Sequence, residues 1–88
     1  MLNQSTSNRF DRDVIKQVKR GKDIEKLIRV MDLILEEKPL EKKYRDHPLS
    51  GNFVGFRECH IEPDWILIYK IDNGSVIFTR TGTHSDLF

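Results

Sequence analysis

Residues 53–81 read FVGFRECHIEPDWILIYKIDNGSVIFTRT, and the spacing of their apolar positions decides the fold. The alternation is of period two, which places successive side chains on opposite faces of a strand. It predicts strands over 53–61, 65–72 and 75–81. Asn73-Gly74 separates the last two; an Asn-Gly pair is the favoured two-residue hairpin turn, because both residues accept positive φ. Glu62-Pro63-Asp64 supplies the turn between the first two. The middle stretch, WILIYKI, is apolar at nearly every position, so it predicts a central strand covered on both faces.

Upstream the period lengthens. Residues 39–52, PLEKKYRDHPLSGN, hold two prolines, a glycine and clustered charge, and read as an extended loop. Before it, Ile24, Leu27, Ile28, Met31, Ile34 and Leu35 recur at three and four, behind Asp23 as N-cap and ahead of Pro39. Phe10, Val14 and Val18, widened by Ile15, give an earlier helix capped by Ser7 or Asn8 and ended at Arg20-Gly21. Leu2–Thr6 reads as a short first strand. The expectation is an α+β domain: an N-terminal helical hairpin, sharing one apolar face, packed on a curved antiparallel β-sheet. The other sheet face is left free, and function is sought there.

Eighty-eight residues make one domain, 1–88, with room for a thin core. The single cysteine, Cys59, excludes an internal disulfide and fits a reducing compartment. No apolar run reaches the roughly 18 residues of a membrane span, and the N-terminus lacks the order of a secretory signal. A cytoplasmic protein with no membrane partner is expected. The net charge of +1 hides a division. Residues 1–45 carry twelve Lys/Arg against eight Asp/Glu, whereas residues 46–88 carry three against six, and all three histidines. A basic half can attract a polyanion, or it can simply solvate two surface helices.

Alternation puts Phe56, Glu58 and His60 on one face, with Arg57, Cys59 and Ile61 on the other. Asp64 opens the next strand close to His60, His84 follows the last strand, and His47 lies in the loop entering the first. Three imidazoles and two carboxylates can therefore meet at one end of the sheet. Imidazole titrates near neutrality, so one ring can take a proton while another gives one. Metal-free RNA cleavage needs that pairing: a base for the 2′-hydroxyl, an acid for the departing 5′-oxygen. A cation offsets the charge on phosphorus, and Arg57, Arg80 or Lys70 can serve if they reach that face. Trp65 or Phe88 can stack on a base. Each has a duller reading: Trp65 as core, Glu58 as a solvated strand residue, Asp64 as a turn former, Cys59 as a small core residue. Metal ligation by His60, Asp64 and His84 lacks a compact His-x-x-x-His or Cys-x-x-Cys spacing, so no metal and no cofactor are expected.

The strings YRDHPLSG, FRECHIEPDWILIYKI and RTGTHSDLF, in that order and spacing, resemble the YafQ family of bacterial toxins, within the RelE/ParE superfamily of type II toxin–antitoxin systems. The resemblance implies a microbial-ribonuclease-like fold and an endoribonuclease that cleaves mRNA in the ribosomal A site. It implies neutralisation by a cognate DinJ-like antitoxin, with operator DNA reached only through that complex. Its functional positions fall on His47, Glu58, His60, Asp64, His84 and Phe88, with Trp65 a substrate-side or supporting aromatic. Three rivals remain: a decayed toxin that only binds, a gyrase poison of the ParE type, and a metal-dependent hydrolase.

Overall fold

Asn73 (φ 48°) and Gly74 (φ 78°) make the predicted hairpin turn, and the strands they join set the register of the rest. The computed structural model describes residues 1–88. In chain order they form β1 (Asn3–Thr6), α1 (Asn8–Lys19), α2 (Ile24–Leu35), β2 (His47–Pro48), β3 (Arg57–Glu62), β4 (Trp65–Asp72), β5 (Ser75–Gly82) and α3 (His84–Leu87). Single 3₁₀ turns at Lys42–Tyr44 and Gly51–Phe53 interrupt the loop. The sheet order is β1-β5-β4-β3-β2. The last four strands in sequence are antiparallel to their neighbours, and β1 pairs parallel with β5, so the sheet is mixed.

The core lies between the helices and one sheet face. Phe10, Leu27, Val30, Ile34 and Leu35 meet Cys59, Ile61, Trp65, Leu67, Tyr69, Val76 and Phe78. β4 is buried from Trp65 to Tyr69, as a central strand must be. Ser7 caps α1: its Oγ accepts from the Phe10 N–H at 2.9 Å and donates to the Thr79 carbonyl at 2.8 Å, which ties the helix start to β5.

Two expectations need correction. The helical hairpin shares less apolar surface than its periodicity predicts: Ile15, Val18 and Ile28 are exposed, while Gln17 is buried. The strand expected from Phe53 begins at Arg57. Gly55 takes φ 92°, which breaks the extended run and turns Phe53 into a loop residue.

Candidate active site

The register His47↔Glu58 between β2 and β3 brings a loop histidine against the strand carboxylate. His47 Nε2 lies 3.0 Å from Glu58 Oε2, and His60 Nε2 lies 3.5 Å from the same oxygen. Each ring is anchored at its other nitrogen by a carbonyl: Nδ1–H of His47 donates to Pro48 O at 3.1 Å, and Nδ1–H of His60 to Pro63 O at 3.2 Å.

His84 is held differently. Asp64 Oδ1 accepts from its backbone N–H at 3.0 Å and from its Nδ1–H at 2.7 Å. Those bonds, the backbone one first, hold the Asp64 carboxyl below its usual range. They also fix the tautomer of a neutral His84, leaving Nε2 as acceptor. The His60 and His84 rings are 5.6 Å apart. Phe88, 59% exposed, lies 6.5 Å from His84 and 5.6 Å from Phe53, which in turn lies 6.5 Å from Phe56. His84, Phe88, Phe53 and Phe56 thus form a line of rings running from the histidines.

A family model for the bacterial toxin of type II toxin–antitoxin systems, YafQ, matches residues 2–88. The chain belongs to the YafQ family. It is 47% identical over 83 residues to the mRNA interferase toxin YafQ of Escherichia coli K12, covering 93% of this chain and 90% of that one. A copper-bound mutant toxin from Helicobacter pylori superposes with a TM-score of 0.96 at 36% identity, over all of both chains. The toxin of the E. coli DinJ–YafQ complex gives 0.93 at 44%, over 100% of this chain and 99% of that one.

Against the YafQ pattern, the structure brings together His47, Glu58 and His60, and beside them Asp64, His84 and Phe88. Three other residues lie away from that cluster. Trp65 is wholly buried and its Nε1–H donates to Thr81 Oγ1 at 2.9 Å, so it supports β4 from the core side. Arg57 pairs with Asp46 at 3.2 Å on the Tyr69 side of the sheet. Arg80 pairs with Asp13 of α1 at 2.7 Å. Lys70 remains: it has no carboxylate partner and sits 5.5 Å over the Phe56 ring. Burial pushes the Cys59 thiol far above its ordinary range, which leaves no thiolate for nucleophilic work. Trp65→Phe is expected to cost about 1.5 kcal/mol from a lost hydrogen bond and a small cavity. Denaturant midpoints would register it, with kcat within twofold of the parent.

The sequence offered His60, Asp64 and His84 as metal ligands only to set them aside for want of a compact spacing, yet in the fold a different set, His47, Glu58 and His60, offers ligand atoms all within 4.8 Å of one another. Two imidazoles whose Nδ1–H groups are tied to carbonyls, facing one carboxylate, fit a zinc or copper ion. The signal was invisible along the chain because His47 comes from another strand. Phe53, which packs on Phe88, and Asp86, which seats the last helix, carry no motif of their own and were not singled out in the sequence.

Proposed function

We propose that this chain is the toxin of a type II toxin–antitoxin pair, an endoribonuclease of the mRNA-interferase class. The observation that carries the reading is the pair of unlike histidines, His84 braced by an ionised Asp64 and His60 braced by Glu58 and a carbonyl, 5.6 Å apart. A decayed toxin would have no need to keep both.

His84 Nε2 takes the proton of the 2′-hydroxyl. The 2′-oxygen bonds to the adjacent phosphorus, the P–O5′ bond breaks, and His60 gives its proton to the leaving 5′-oxygen. The products are a 2′,3′-cyclic phosphate and a 5′-hydroxyl end. His47 lies beside the phosphate, Lys70 offsets charge on phosphorus, and Phe88 stacks on the base beside the scissile step. A copper or zinc ion held by His47, Glu58 and His60 would supply a Lewis acid but would occupy the His60 nitrogen that carries the proton, so the acid–base route belongs to the ion-free site.

The small size of the chain fits an enzyme whose mRNA is aligned in the ribosomal A site, with the basic helical half meeting rRNA. Its antitoxin is DinJ-like, as the complex of the E. coli relative supports, and operator DNA is reached only through that complex. No helix is long and apolar enough to cross a membrane, and the ribosome sets the place of work in the bacterial cytoplasm. Mapping mRNA 5′ ends in a ribosome-containing lysate, with and without antitoxin, tests this. Cuts in translated RNA that persist in chelator are expected. Supercoiling changes without cuts would make it a gyrase poison, and cleavage lost to chelator and restored by the ion would make it a metal-dependent hydrolase.

A further inference from the structure

Beside His60 the chain forms a cleft of about 520 Å³. Lys26 and Arg29 of α2 make one wall, and Lys43, Tyr44 and Arg45 of the first 3₁₀ turn make the other. The end of β3, from His60 to Glu62, is the floor. Four cations thus face one carboxylate, and that carboxylate, Glu62, is already taken by Lys22 at 3.3 Å and Lys26 at 2.9 Å. Those pairs anchor α2 to the sheet and keep the wall in place. Arg29 and Arg45 have no acidic partner and no side-chain hydrogen bond, and both are exposed. Arg45 also adopts φ 48°, a left-handed conformation that a non-glycine residue takes only when its surroundings hold it there.

A groove with unpaired guanidiniums from two elements, an aromatic wall and no free carboxylate matches a single-stranded polyanion. His60 belongs both to this cleft and to the catalytic array. We infer that the sugar–phosphate backbone of RNA, beyond the scissile step, runs from His60 into this cleft, with Arg29 and Arg45 each holding a phosphate. The inference rests on the RNA-cleaving reading above and adds the path of the substrate to it.

The probe is a labelled single-stranded RNA oligonucleotide made uncleavable by 2′-deoxy substitution, with Kd measured across a salt series. Arg29→Gln with Arg45→Gln should raise Kd tenfold or more. It should also make log K against log salt shallower by about 1.4, from two phosphates at ~0.7 each. Arg12→Gln with Lys19→Gln removes the same charge from α1, away from the cleft, and should leave that slope unchanged. An equal effect from both pairs would reduce the cleft to general charge and overturn the proposal. So would a Kd unmoved by R29Q/R45Q. If the pair instead weakens binding of ribosomes without mRNA, or of antitoxin, and spares the oligonucleotide, the cleft serves rRNA or an acidic protein segment and the proposal also falls. Parallel cleavage of ribosome-programmed mRNA separates the two readings: wild-type cleavage with a parental KM in R29Q/R45Q sinks the track alone, and no wild-type cleavage sinks the nuclease.

Discussion

His84→Ala and His60→Ala are each expected to lower the rate of mRNA cleavage by roughly 10²–10⁴-fold, the usual loss when a positioned acid or base is removed. Neither loss should come from unfolding. His84 is half exposed on the surface of the last helix, and removing it leaves Asp64 solvated. His60 is more enclosed, with 10% of its side chain exposed, but Glu58 keeps His47 as a partner. Thermal midpoints within a few degrees of the parent, together with unchanged antitoxin binding, would establish that. The double variant should be little slower than the slower single one, because the two groups act in one transfer. The pH profile assigns the roles: a lost acid limb in His84→Ala marks the base, and a lost alkaline limb in His60→Ala marks the acid. Cleavage within tenfold of the parent in both singles would remove these histidines from the mechanism, whatever family the chain belongs to.

How far the sequence carried this picture depends on the range of each interaction. β4 and the Asn73-Gly74 turn were legible because alternation and turn chemistry are local. The caps at Ser7 and Asp23 were legible for the same reason. The partners of Arg57 and Arg80 were not. Arg80 meets Asp13, 67 positions away, only because α1 lies along the part of β5 that β1 leaves unpaired. A register shift between Ile68 and Tyr69 further alters which β5 residue faces which. The sequence therefore offered both arginines to the substrate, while the fold spends them on its own carboxylates. Trp65 was ambiguous for another reason: a strand-start aromatic serves core or ligand equally, and only its bond to Thr81 decides.

The division of charge also changes meaning. Lys16, Arg20, Lys22 and Lys26 of the basic half pair with Asp86 and Glu62 of the acidic half. Part of the segregation therefore joins the N-terminal helical half to α3 and the end of β3, and the cations left over, Arg29 and Arg45 among them, are the ones free to meet a polyanion.

Asp86→Asn should show what that joining does for catalysis. Asp86 is the hub that seats α3, the four-residue helix carrying His84 and leading to Phe88. Its carboxylate accepts from Arg20 at 2.7 and 3.1 Å, from Lys16 and Gln17 at 3.3 Å, and from the Thr83 N–H at 2.9 Å, closing a capping box with Thr83. It packs so close to β5 that a Cβ on Gly82 would lie 2.8 Å from Asp86 Oδ2. An amide of the same size loses the charge that makes these bonds strong, and a stability loss of about 3 kcal/mol at neutral pH is expected. The Arg20 bonds, and after them those of Thr83, hold the carboxyl far below its usual range. The unfolded chain, with an ordinary value near ~4, then binds the proton first, so this stabilisation is complete above that value and drains away as pH falls below it. The gap between parent and Asp86→Asn should accordingly narrow by about 1 kcal/mol between pH 4 and pH 3, in urea midpoints taken side by side. Activity adds a second readout. With His84 and Phe88 no longer seated, kcat should fall tenfold or more at a temperature where Asp86→Asn is still folded, while Asp86→Glu, which keeps the charge, recovers part of it. A kcat equal to the parent's in folded Asp86→Asn would mean that Asp64 alone positions His84, and that the clamp on α1 serves stability only.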